Sequence, residues 1–256
     1  MEWNDTAIIL SSRKYGENSA LLRVFTRAHG VHAGIVRGAN SKTNRGVLQA
    51  GNIVNAAWHA RLPEQLGSLK LELLVPNAAL CMAEPARLCA LVSACTLVEA
   101  TLPERHPYER LYRQMLLLLE ALEHNPDWQQ SYVHFELAIL AECGFGLDLS
   151  RCAATGASEQ LAYVSPKTGR AVSLNAGLPY HDRMLPLPAF LTGTLAPTCE
   201  EILAGARLTG YFLESWLLTP HRKKLPAARN RLIQTLETTL ENTLKHTLHA
   251  AETASA

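Results

Sequence analysis

The sequence predicts an α+β protein: a small β-module at the front, then a helical remainder broken by an irregular insert. Three observations predict it. Up to residue 75, short β-branched and apolar runs recur between turn residues. Past Pro76-Asn77 the apolar period lengthens from two residues to the helical repeat. Between 144 and 197 neither period holds, and glycine and proline accumulate.

The strands come first. Residues 6–13 (T-A-I-I-L-S-S-R) are β-branched and apolar, and Lys14 to Asn18 turns the chain. In 20–27, Leu22, Val24 and Thr26 share one face; Leu21, Arg23, Phe25 and Arg27 share the other. A third strand is predicted over 31–37, after the turn Ala28-His29-Gly30. Two more follow over 51–61 and 67–75. In the last, Leu69, Leu71 and Leu73 alternate with Ser68, Lys70 and Glu72, the pattern of a half-buried strand. Five short strands in this space predict a small antiparallel barrel or sandwich.

The helices follow. In 80–102, Leu88, Leu91, Val92, Cys95 and Val98 share a face, and the opposite side is also apolar, so this helix is expected to be buried nearly all round. In 108–123 the face is Leu111, Met115, Leu118, Leu119 and Leu122. A third helix over about 128–142 is expected to start at Asp127 as N-cap and to stop at Gly144 in a left-handed position. The insert, 144–197, holds a predicted hairpin at 161–174 around Pro166-Lys167-Thr168-Gly169. Helices resume over 198–218 (Leu203, Ala206, Gly210, Leu213, Leu217) and 226–250, and Ala251 to Ala256 is expected to fray. The predicted division is therefore 1–78 and 79–256.

Composition narrows the function. The chain has 256 residues, 48% apolar and 18% charged, with net charge +1. That is a core-forming protein of one large or two ordinary domains, not a disordered one. Residues 1–80 carry nine Lys/Arg against five Asp/Glu, a surplus of four, so the rest has a deficit of three. A basic front on a neutral whole points to a local polyanion surface. The start, Met1-Glu2-Trp3-Asn4-Asp5, is acidic, and no apolar run approaches a membrane span. None of the six cysteines, Cys81, Cys89, Cys95, Cys143, Cys152 and Cys199, forms a C-x-x-C pair. The expectation is a cytoplasmic protein with reduced, mostly core thiols.

No catalytic pattern emerges: no G-x-x-x-x-G-K-[ST], G-x-S-x-G, H-E-x-x-H or G-x-G-x-x-G is present. His29, His32, His59, His246 and His249 have no carboxylate at a recognisable spacing and read as surface or core residues. Glu136 and Glu142, on an apolar helix, suit a cap or an ion pair better than general acid chemistry. These patterns show no catalytic arrangement. Cys143 and Cys152, with only His181 and Cys199 downstream, fall short of a four-ligand zinc set and read as buried thiols.

The stretch Val31–Leu48 carries the most chemistry. A strand ends at Arg37-Gly38, and a polar loop with Asn40, Ser41, Lys42, Thr43, Asn44 and Arg45 follows before Val47-Leu48. Its cations, amides, hydroxyls and flanking glycines suit phosphate groups. The competing reading is a solvated loop with incidental charge. Arg13, Lys14, Arg23 and Arg27 would extend a phosphate track from Arg37, Lys42 and Arg45. Tyr15, Phe25 and Trp58 would either stack on bases or sit in the core.

Taken in order, S-R-K-Y-G-E-N-S (12–19), V-F-T-R-A-H-G (24–30), V-R-G-A-N-S-K (36–42) and L-Q-A-G-N (48–52) resemble the N-terminal part of the bacterial RecO family. F-E-L-A-I-L-A-E-C-G-F-G-L-D-L (135–149), S-R-C-A-A-T-G (150–156) and Y-V-S-P-K-T-G-R-A-V-S (163–173) continue the resemblance over nearly the whole chain. It implies an OB-fold barrel followed by a helical domain whose insert is a degenerate zinc finger. Members with zinc show two C-x-x-C pairs; here those positions read Cys152-Ala-Ala-Thr155 and Ser173-Leu-Asn-Ala176, so three of the four ligands are missing and no metal is expected. Position 40 is Asn where many relatives are basic.

The resemblance further implies a recombination mediator that is not an enzyme and uses no cofactor. Such a protein would bind single- and double-stranded DNA, contact RecR and the acidic tail of single-strand-binding protein, anneal strands and help load RecA, in the cytoplasm with the nucleoid. Near the C-terminus, R-K-K-L-P-A-A-R-N-R-L (222–232) resembles that family's basic segment. Arg222, Lys223, Lys224, Arg229 and Arg231 would extend the DNA path, meet an acidic peptide, or form a solvated helix start. The alternative function is an adaptor for acidic peptide tails with little DNA affinity of its own.

Overall fold

The computed structural model describes residues 1–62, 65–193 and 196–254, with side chains up to residue 242. His246 and His249 lie outside those side chains. Of the tail expected to fray, the backbone is helical to Ala254, and residues 255–256 lie outside the described chain. Packing divides the chain into two compact units, Met1–Cys143 and Gly144–Ala256.

The first unit opens with β1 (Glu2–Tyr15), β2 (Ser19–Thr26) and β3 (Gly30–Arg37). A short helix, α1 (Lys42–Val47), precedes β4 (Ile53–His59) and β5 (Gly67–Val75). The strands close a barrel in the order β1-β2-β3-β5-β4. Every neighbouring pair is antiparallel except β3 with β5, which pair in parallel only at Gly34–Gly67 and Ile35–Ser68. A bulge near Ser11 lets β1 leave β4 and continue with β2 alone. The barrel and the helical region after it are the predicted fold.

Alternation selects the core. Leu22 and Val24 point into the barrel with Ala7, Ile9, Val54, Ala56, Trp58 and Leu69. Trp58 sets the packing: its indole N–H donates to the Ala33 carbonyl at 3.1 Å, and it stacks with Trp3 at 5.9 Å. A Cβ on Gly67 would collide with that indole, and one on Gly34 would reach 2.7 Å from Leu69. His32 lies edge-on to Trp58 at 4.8 Å. Burial, then the charge of Arg105, pushes its imidazole below the usual 6.5.

The predicted alternation of β5 holds only in part. Leu69 is buried, Leu71 half-buried and Leu73 exposed. The reason is the short β3–β5 pairing: the ladder ends at Ser68, and beyond it β5 pairs with β4 alone. The loop expected at 40–48 is also partly helix. Ser41 caps α1, its Oγ accepting from the Asn44 N–H at 3.2 Å, which satisfies an otherwise orphaned donor.

After α2 (Asn77–Cys81), the helix α3 (Pro85–Thr101) packs on β1, and α4 (Glu109–His124) and α5 (Trp128–Glu142) pack against α3 and each other, α4 reaching the strands through Tyr112. α3 is buried nearly all round, as its composition demands. All five residues named for the α4 face are buried. Phe25 meets Tyr112 edge-on at 5.4 Å, and the Tyr112 hydroxyl donates to the Thr6 carbonyl at 3.1 Å. Burial pushes that phenol up to about 12, so it stays a donor. Asp127 occupies the N-cap position without a capping side-chain bond; its own N–H is taken by Asn125 Oδ1 at 2.7 Å. Gly144 takes the left-handed conformation at φ 85°.

The second unit begins with the insert. The hairpin forms, as β6 (Leu161–Val164) and β7 (Ala171–Ser173), and β8 (Leu185–Pro186) adds an unpredicted third strand after α6 (Leu174–Gly177). α7 (Cys199–Phe212) starts in a capping box between Thr198 and Glu201 and passes into a π-helical turn over Leu213–Leu218. α8 spans Ala227–Ala254.

Candidate nucleic-acid interface

The barrel end that carries the β1–β2 turn and α1 is the polar one. Two concavities open there, one on each side of α1. The first, the barrel mouth, encloses roughly 420 Å³ and is rimmed by Ser12, Lys14, Asn40, Arg45 and Gln49. The second, roughly 410 Å³, runs along the open β3–β5 seam and is lined by Arg37, Asn44 and Lys70 among apolar residues. Lys42 begins the helix between them and is exposed. Arg37, Lys42, Arg45 and Lys14 are thus brought to one end of the barrel, as sequence-based reasoning expected. None of them has an ion-pair partner among the described residues.

Lys70 was not among the expected residues. In the sequence it is one polar position in an alternating strand. Only the barrel's closure sets it opposite Arg37, so no local signal marks it.

The other three expected cations are used elsewhere. Arg13 lies 3.1 Å from Glu99, and Arg23 lies 3.7 Å from the same carboxylate and 2.7 Å from Glu104. Arg27 pairs with Glu109. They sit on the strand face that the helices cover, and each bonds a carboxylate of α3, of α4 or of the segment between them. Their alternation with Phe25 reflects this packing, not a base-stacking row. Phe25 and Trp58 are core residues; of the three aromatics considered for stacking, Tyr15 alone is exposed.

In the second unit Arg222, Lys223, Lys224 and Arg231 are exposed around the start of α8. Arg229 is not. It is 3% exposed, and its guanidinium donates to the Ala206 carbonyl at 2.5 Å and lies over Gly210. The helical repeat turns it inward while Arg231, two residues on, faces out, so its assignment to a binding surface is corrected to a tie between α8 and α7.

The family model "Recombination protein O N terminal" matches residues 1–76, and "Recombination protein O C terminal" matches residues 82–226. The chain belongs to the RecO family. A DNA repair protein RecO of Rhodospirillum centenum is 52% identical over 235 residues, covering 91% of this chain and 94% of the relative. That of Rhodospirillum rubrum is 43% identical over 243 residues, covering 92% and 96%. That of Methylocella silvestris is 47% identical over 234 residues, covering 90% and 93%. The barrel is the OB-fold of the RecO N-terminal region.

RecO membership raises the question of the insert's metal. The residues present do not fit one. Cys152 Sγ lies 3.4 Å from Ser173 Oγ and accepts from the Ser173 N–H at 3.2 Å, so a hydroxyl and an amide occupy the place of further thiolates. Burial opposes ionisation of Cys152, but hydrogen bonds from Ser173 and Thr155 outweigh it and bring the thiol down to about 6. Among the described residues, no three His, Cys, Asp or Glu side chains gather as ligands. Backbone bonds hold the insert: Ala171 N–H to the Asp148 carbonyl, Ala153 N–H to the Ala171 carbonyl and Gly156 N–H to the Cys152 carbonyl, all at 2.8 Å. Among the described residues no helix is long and apolar enough to cross a membrane.

Proposed function

We propose that this RecO-family chain is a DNA-binding recombination mediator that grips strands by their phosphates, without catalysis of its own. One observation carries the reading. Lys14, Arg37, Lys42, Arg45 and Lys70 stand at one barrel end around two concavities, while Arg13, Arg23 and Arg27 are spent on carboxylates. A cluster of cations without an ion pair among the described residues is costly to assemble unless a polyanion meets it. Backbone contact of this kind carries little sequence information, which suits a protein acting on any gap.

As a mediator the chain would anneal strands and help load RecA on gapped DNA coated with single-strand-binding protein, together with RecR. The exposed Arg222, Lys223, Lys224 and Arg231 suit the acidic tail of single-strand-binding protein, which is also what the adaptor reading requires. The favoured reading differs from the adaptor reading in its salt dependence. With about four phosphates engaged on a single strand, log K is expected to fall against log salt with a slope of about −3. Fluorescence anisotropy of labelled single-stranded DNA over a salt series reads that slope. A chelator is expected to leave it unchanged, and a flat profile would reject the phosphate grip.

A further inference from the structure

We propose that the barrel mouth receives one unstacked base of a bound single strand and favours a base that offers an amino donor, cytosine or adenine over thymine. This rests on the DNA-binding reading above and adds a site to it.

The mouth is an open hollow of small-ligand size. Its apolar lining is Ala20, Ala39, Leu48 and Ala50. Its volume of roughly 420 Å³ exceeds what water or a lone phosphate needs and suits a flat ring. The rim holds two kinds of group. Lys14 and Arg45 are pure donors and match phosphate oxygens. Asn40 and Gln49 are amides, and the structure fixes which end of each is free. Asn40 Nδ2 donates to the Glu17 carbonyl at 2.7 Å, and Gln49 Nε2 donates to the Arg45 carbonyl at 2.7 Å. Their oxygens accept no hydrogen bond among the described residues. The rim therefore holds cations that suit the backbone and two amides whose oxygens are left to accept from a base.

That arrangement discriminates between bases. Cytosine N4 and adenine N6 are donors, whereas thymine presents O4 at the same edge, an acceptor facing an acceptor. In a duplex those amino groups are paired and stacked, and extracting a base costs a few kcal/mol; in a single strand most of that cost is absent. Among the described residues no aromatic side chain lines the mouth, so the base rests on methyl groups and is read at its edge, not by stacking.

The test is anisotropy with labelled oligomers of dC and of dT of equal length, at mildly alkaline pH, where both strands are unstructured. The dC strand is expected to bind about threefold to tenfold more tightly, the net worth of one hydrogen bond. Both strands are expected to show the same salt slope. Gln49→Leu and, separately, Asn40→Leu are expected to reduce dC binding toward that of dT; thermal melting checks that each variant is folded, and either one suffices. Equal affinity for dC and dT in the parent protein overturns the base site and leaves the phosphate grip standing. A preference for dC that survives both substitutions also overturns it. Failure to bind either strand overturns the DNA-binding reading itself.

Discussion

Arg37→Ala combined with Lys42→Ala is expected to weaken single-strand binding about 25-fold at roughly 0.1 M salt, without lowering the melting temperature. The magnitude follows from counterion release. Each phosphate contact on a single strand contributes about 0.7 to the slope of log K against log salt, or about fivefold per contact at that ionic strength. The slope itself is expected to fall from about −3 to about −1.6. Stability is expected to hold because both side chains are exposed and neither is in an ion pair among the described residues; such surface changes cost about 0.5 kcal/mol or less. Arg229→Ala makes the informative contrast. It removes a buried tie to the Ala206 carbonyl, so melting is expected to drop while the slope stays. A double variant that melts early would make Arg37 and Lys42 structural residues and remove the basis for the phosphate grip.

Trp58→Ala is expected to cost about 3–5 kcal/mol, a large share of a typical domain's stability. The indole fills the barrel between Gly34 and Gly67, stacks with Trp3 and satisfies the Ala33 carbonyl. Glycines on two facing strands leave no side chain to collapse into the void, so little of the loss can be recovered. Trp58→Phe keeps most of the ring and loses the N–H, so about 1–2 kcal/mol is expected. Urea unfolding followed by far-ultraviolet circular dichroism measures both. A loss below about 1 kcal/mol for the alanine variant would mean that the barrel is not organised around this ring.

Much of the fold was legible because period and burial coincide. The α4 face, the position of Gly144, the hairpin at 161–174 and the α7 residues Leu203, Ala206, Gly210, Leu213 and Leu217 all sit where spacing alone places them. Three features were not legible. Two-residue β8 is too short to carry a pattern. α1 is a single capped turn within a run that reads as loop. The exposure of Leu73 depends on where β3 stops running beside β5, which the alternation of β5 does not encode.

The candidate site was legible only in part, for a related reason. A cation's chemistry is local, but its availability is not. Arg27 and Arg37 look alike in the sequence, each at the end of a strand. Arg27 lies on the face that the helices cover and meets Glu109; Arg37 lies at the open end and meets no carboxylate among the described residues. Arg229 and Arg231 are two residues apart on one helix and differ in burial because the helical repeat sends them to different sides.

The sequence by itself determined the order of elements, the inward faces of strands and helices, and the excess of cations in the first 80 residues. These follow from periodicity and composition, which are properties of neighbours along the chain. Only the tertiary structure decided which cations remain free of ion pairs among the described residues, that Lys70 joins Arg37 across the seam, and that Asn40 and Gln49 line one hollow. Such facts depend on groups far apart in sequence being brought within a few ångströms, where carboxylates neutralise some cations and leave others to a strand.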